Sequence, residues 1–258
     1  MRLMKRILSA AAVLTLSASL LVGCSSGTAS SVPVSASSAA ESTVSSVEET
    51  ASSAVDENEA AAAQLLNDLT GSYQELWPVI LADEYKQTWL DDCTALVGED
   101  NAEAAFEKLS SMVTGDVYGE DAVKAYANGG GAYFCGFTNS LAILTFDGET
   151  STISGTDKDG NVLFSHTYHY IGMEPVHGLY EFESDDADSG EFTYFFLAPD
   201  TSAETYHIEF RYGSDADALS QYDAGDYAYW VASGISTDCD QTMIDNCIEL
   251  FCTENLAG

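Results

Sequence analysis

The sequence predicts an α+β fold that is mainly β: helices at both ends of a run of short antiparallel strands that close into a barrel or sandwich. Three observations carry this. Apolar residues recur at three- and four-residue steps before Gly129-Gly130-Gly131, and again after Thr237. Between them, period-two runs alternate with short turn clusters. One run, residues 205–213, alternates without a break: Thr205, His207, Glu209 and Arg211 on one side, Tyr206, Ile208, Phe210 and Tyr212 on the other.

The chain opens with Arg2, Lys5 and Arg6 and then runs apolar from 7 to 21. A basic start, a short apolar stretch and small residues before Cys24 make residues 1–23 a secretory signal, too short for a spanning helix. Cys24 directly after Gly23 makes it a lipoprotein signal, with Cys24 the acylated first residue of the mature chain. Residues 24–58 hold almost nothing but Ser, Ala, Val, Thr and Glu. Such a segment cannot bury enough apolar surface to offset the entropy of ordering, so it is a flexible tether spanning roughly 30–35 Å. Residues 59–258 then form one domain with a core of its own.

Within that domain, Leu81, Tyr85, Trp89, Cys93, Leu96 and Val97 make one helical stripe, stopped by Gly98. Asn101 caps a second helix, with Ala102, Phe106, Leu109 and Val113 on one face and Gly115 beyond its end. Strands follow at 132–137, 141–146, 151–154, 162–171, 179–182, 192–197 and 206–212, with turns at Asp147-Gly148, 157–160 and 185–190. A short helix over 215–222 and a tyrosine-rich passage lead to a last helix. Thr237 is its expected cap, and Met243, Ile244, Cys247, Ile248 and Phe251 form its stripe.

The formal charge is −34, and loss of Arg2, Lys5 and Arg6 with the signal takes it near −37. Lys86, Lys108, Lys124, Lys158 and Arg211 are then the remaining basic side chains besides histidine, which excludes nucleic acid or anionic lipid held through a basic patch. Cations are the natural small partners. Cys93, Cys135, Cys239, Cys247 and Cys252 leave at least one thiol unpaired, and no C-x-x-C spacing marks a thiolate zinc cluster. Cys247 and Cys252 point about 140° apart on one helix and do not pair with each other. No Gly-x-Ser-x-Gly, phosphate-cradling loop or His-Glu-x-x-His marks an enzyme.

The order of signals resembles the ZinT (YodA) family of periplasmic metal-binding proteins. Leu66-Asn67-Asp68-Leu69-Thr70-Gly71-Ser72-Tyr73-Gln74 is similar to that family's opening, and His166-Thr167-Tyr168-His169-Tyr170-Ile171-Gly172 to its Tyr-rich strand. Phe195-Phe196-Leu197-Ala198-Pro199 is similar to the strand before its Ala-Pro turn, and residues 207–213 to its metal strand. The resemblance implies a lipocalin-like (calycin) antiparallel β-barrel with flanking helices over residues 59–258. It also implies a protein that binds Zn2+ outside the cytoplasm and hands it to, or buffers it near, a zinc ABC-transporter solute-binding protein; the domain itself is expected to be a monomer.

The resemblance places metal ligands at His207 and Glu209, where the family carries His-x-His, or in a shifted register at Thr205 and His207. Phe195 stands where the family has a third histidine. His166 or His169 completes the set if their strand lies beside this one; their parity allows only one of them to face the interior. His177, on a loop beside Pro175 and Gly178, is expected to be solvated. A shared metal puts His207 and Glu209 on the concave side, with Tyr206, Ile208, Phe210 and Tyr212 against helices outside. Glu209→His and Phe195→His are then the changes expected to tighten zinc. The alternative is a lipocalin-like surface module with a decayed metal site, taking a small organic ligand or a protein partner.

Overall fold

The computed structural model describes residues 57–199 and 207–257; the signal segment, Cys24, the tether through residue 56, Thr205 and Tyr206 lie outside the described residues. Helical turns run through 57–68 (α1), then strand β1 (Gly71–Glu75) passes directly into α2 (Leu76–Ile80). The first expected helical stripe is divided. A 3-10 turn at Asp83–Tyr85 separates α2 from α3 (Lys86–Val97), and the Trp89 indole N–H donates to the Ile80 carbonyl at 2.7 Å across the break. Gly98, at φ +83°, turns α3 into α4 (Glu99–Ser111). Asn101 lies inside α4 rather than at its cap, its side chain donating back to the Val97 carbonyl. A further helix, α5 (Glu120–Ala127), was not expected from the pattern; its one buried residue is Ala122.

Eight antiparallel strands close a barrel in sequence order, β1 to β8, with β8 pairing back on β1. The remaining strands are β2 (Ile143–Asp147), β3 (Thr152–Thr156), β4 (Val162–Met173), β5 (Tyr180–Ser184), β6 (Tyr194–Leu197), β7 (His207–Gly213) and β8 (Ala232–Ser236). Six of them coincide with expected strands to within a few residues. The expected strand over 132–137 is a correction: the segment joins no strand of the barrel, and its bridges are the isolated ones of Phe134 to Thr114 and Trp230. β1 and β8, which close the barrel, escape the alternation because they are short and poor in large apolar residues. In β8 smallness is required, since a Cβ on Gly234 would lie 3.1 Å from Ile208 on the neighbouring strand.

Asp157 shapes the β3–β4 turn by accepting from the backbone N–H groups of Asp159 and Asn161, with Gly160 at φ +83°. Register shifts at Gly155/Thr156 and between Tyr170 and Gly172 let the long β4 bend around the barrel. After β7 come α6 (Ala216–Leu219), capped by Asp215, and later α7 (Gln241–Leu256). The cap of α7 is Asp240, whose carboxylate accepts from the Met243 N–H at 3.0 Å. Thr237 lies three residues upstream, in the turn that leaves β8, where its backbone N–H donates to the Ser72 carbonyl of β1.

Two cores result. The barrel interior is filled by aromatic and aliphatic side chains, among them Leu144, Phe146, Ile153, Phe182, Phe195 and Phe210. A second core lies outside the wall, where α2, α3, α4 and α7 pack Trp77, Trp89, Leu109, Ile248 and Phe251 against Ile235 of β8. Trp77 and Phe251 meet edge to face at 4.6 Å between centroids.

Candidate functional site

Residues directly opposed on adjacent strands share a face. His207 lies opposite Ile235 and Glu209 opposite Ser233, while Ile208 and Phe210 lie opposite Gly234 and Ala232. Ile235 belongs to the helix-covered outer core, and Phe210 and Ala232 belong to the interior. His207 and Glu209 therefore sit on the outer wall. Ile208, Phe210 and Tyr212 point inward, the reverse of the arrangement that a metal on the concave side requires. The Glu209 carboxylate adds to burial in raising two outer-face thiols, Cys135 and Cys247, the latter to about 12.

The interior at this level holds no room for a ligand set. Phe195, 0% exposed, stacks on Tyr212 at 5.4 Å and Phe210 at 6.3 Å and meets Tyr168 edge-on. Phe192, on a 3-10 turn at Gly190–Phe192, adds a further ring against Phe164 and Tyr212. An eight-stranded barrel is just wide enough for its own side chains, and here aromatic rings fill that width.

On β4 the parity argument is met. His166 pairs with buried Ile153 and packs beside Phe164 and Tyr168, whereas His169 faces out. Each imidazole uses Nδ1 toward a carboxylate of the β5–β6 turn at 2.7 Å, His166 toward Asp186 and His169 toward Asp185. The His169 side chain is 52% exposed and that of His166 18%. β5 and β6 stand between β4 and β7, so three strand spacings, about 14 Å of wall, separate these histidines from His207. The four expected ligands are not brought to one point. Among the described residues no group of three or more His, Cys, Asp or Glu side chains is placed to hold a metal.

His177 departs from expectation. Its side chain is 9% exposed and its Nδ1 lies 3.1 Å from the wholly buried Glu174 carboxylate. That carboxylate also accepts from the N–H groups of Val176 and His177, and the imidazole packs on Tyr222. Burial outweighs the pull of Glu174 and holds the His177 pKa below the ordinary imidazole value. On the other side, the Arg211 guanidinium lies 4.1 Å from the Tyr222 ring centroid. It donates to the carbonyls of Leu219, Gln221 and Tyr227, and it is 0% exposed. This Glu174–His177–Tyr222–Arg211 chain fastens α6 and the 174–178 turn to β7. It was legible in one respect: Arg211 is the sole arginine after residue 6.

A cleft of about 350 Å³ opens outside the wall between α2 and the segment 134–136. Trp77, Leu81 and Phe134 line it, with Glu75 contributing a carboxylate that accepts from the Phe137 N–H.

Neither a protein-family model nor a curated protein sequence matches the chain. Among solved structures, the Zn(II)-bound ZinT-like domain of Streptococcus pneumoniae AdcA is similar to it, with a TM-score of 0.45 and 15% identity over 71% of this chain and 89% of that one. Zn(II)-bound AdcA from the same organism gives a TM-score of 0.42 and 16% identity over 72% of this chain. This chain spans 35% of that longer protein.

Proposed function

We propose that the chain is a membrane-tethered, extracytoplasmic zinc-binding protein that buffers the ion or passes it to an uptake system. Its cargo is held weakly on the barrel surface. The observation that carries this reading is the pairing of exposed His169 with Asp185 through Nδ1. A carboxylate partner keeps the proton on Nδ1, so neutral imidazole offers the Nε2 lone pair, the arrangement common to metal-ligating histidines. The motif resemblance supports zinc as the ion, and the acidic surface gathers cations. Calorimetric titration with zinc at pH 7 is expected to show binding that His169→Ala weakens about tenfold, as loss of a ligand or its orienting partner does. An unaltered chain that takes no zinc at pH 7 would sink the reading.

A second reading is favoured by the cleft beside Trp77: a surface module that takes a small organic ligand there. It gains if zinc titration is silent.

The tether belongs to the same proposal. Cys24→Ala is expected to move the protein from the membrane fraction to the soluble one while its circular dichroism stays unchanged. A variant still membrane-bound in high salt would show that Cys24 is not the anchor.

A further inference from the structure

α3 and α7 pack side by side through Trp89 and Phe251, whose ring centroids lie 5.7 Å apart. One turn beyond Trp89 on α3, Cys93 faces Cys252, the residue after Phe251 on α7, with their Sγ atoms 3.9 Å apart and both side chains 0% exposed. We propose that Cys93 and Cys252 are a disulfide pair that fastens the N-terminal helical layer to the C-terminal helix in the oxidised protein. The other three described thiols lie elsewhere: Cys135 beneath Glu209 and Ser233, Cys239 half-buried just before the start of α7, and Cys247 about 140° around α7 from Cys252.

The reaction is thiol–disulfide exchange with an oxidised disulfide such as glutathione disulfide. The Cys93 or Cys252 thiolate attacks one sulfur of the oxidant and expels a glutathione thiolate. The second cysteine, as thiolate, then attacks the protein sulfur of the mixed disulfide and expels the other glutathione. One S–S bond is made in the protein, one is broken in the oxidant, and the two protons end on the two glutathione thiols. Burial raises both cysteine thiols above their ordinary range, so the packed, reduced pair holds little thiolate. Closure therefore belongs to folding, or to openings of α7, rather than to attack on the closed protein. The two residues are 159 apart in sequence, so the bridge constrains a long stretch of the unfolded chain.

The test is to refold the full chain from denaturant in a mixture of oxidised and reduced glutathione, alkylate the remaining thiols and digest with a glutamate-specific protease. Cleavage at Glu84, Glu99, Glu249 and Glu254 separates Cys93, on 85–99, from Cys252, on 250–254, and both from Cys247. The expected product is these two peptides joined, two mass units below their sum, with the unfolding temperature falling by roughly 10 °C on reduction. Recovery of both peptides alkylated, or of Cys93 joined to Cys135, Cys239 or Cys247, overturns the proposal. The mapping uses the unaltered chain, so it depends on no variant's folding. The oxidant is supplied, so the outcome is independent of where the protein resides and of whether it binds zinc.

Discussion

Arg211→Ala is expected to cost about 3–5 kcal/mol of stability, the range seen when one member of a buried, hydrogen-bonded charge cluster is removed. The guanidinium is 0% exposed and donates to the Leu219, Gln221 and Tyr227 carbonyls. Alanine leaves those acceptors without their donor inside the structure and removes the cation that faces Tyr222 and the buried Glu174. In a domain of this size the loss corresponds to a fall on the order of 10 °C in unfolding temperature. Arg211→Lys should recover only part of it, because an ammonium lacks the planar fork that spans several carbonyls. Thermal unfolding followed by circular dichroism decides the matter. A change below about 1 kcal/mol for Arg211→Ala would mean that the cluster does not fasten α6 to the barrel.

Phe195→His is the second large effect, and its sign reverses the expectation drawn from family resemblance. As a restored ligand it should have tightened zinc; in this fold it should destabilise the protein by about 2–4 kcal/mol. Phe195 touches Phe164, Tyr168, Phe210 and Tyr212 and has no exposed surface. An imidazole there loses ring packing and buries a polar edge among apolar neighbours. It also gains no metal partner from His207, which lies on the opposite side of the wall. Thermal unfolding and zinc calorimetry on the same preparation test both halves. A variant as stable as its parent, or one that binds zinc more tightly, would refute the argument.

The position of Phe195 shows how much of the candidate site could be read in advance. Alternation along β7 separated His207, Glu209 and Arg211 from Ile208, Phe210 and Tyr212 without error. The opposite parity of His166 and His169 was legible for the same reason, since period two is a local property of extended backbone. Their carboxylate partners were not. Asp185 and Asp186 fall in the expected turn over 185–190, and only the β4–β5 pairing brings that turn alongside the histidines. His177 was misplaced because a loop with Pro and Gly at its flanks looks solvent-facing, while its burial depends on Tyr222, 45 positions on.

By itself the sequence determined the helical stripes, most of the strands, the turns at 157–160 and 185–190, and which side chains share a face. Each of these follows from backbone geometry within a few residues. Only the tertiary structure decided which face became the inside. Closure of eight strands leaves a narrow interior that apolar rings must fill, so Phe195, Phe210 and Tyr212 went in and His207 and Glu209 went out. It also decided that β1 and β8 are strands at all. Their small and polar residues carry little pattern of their own, and they pair because the barrel's edges must meet.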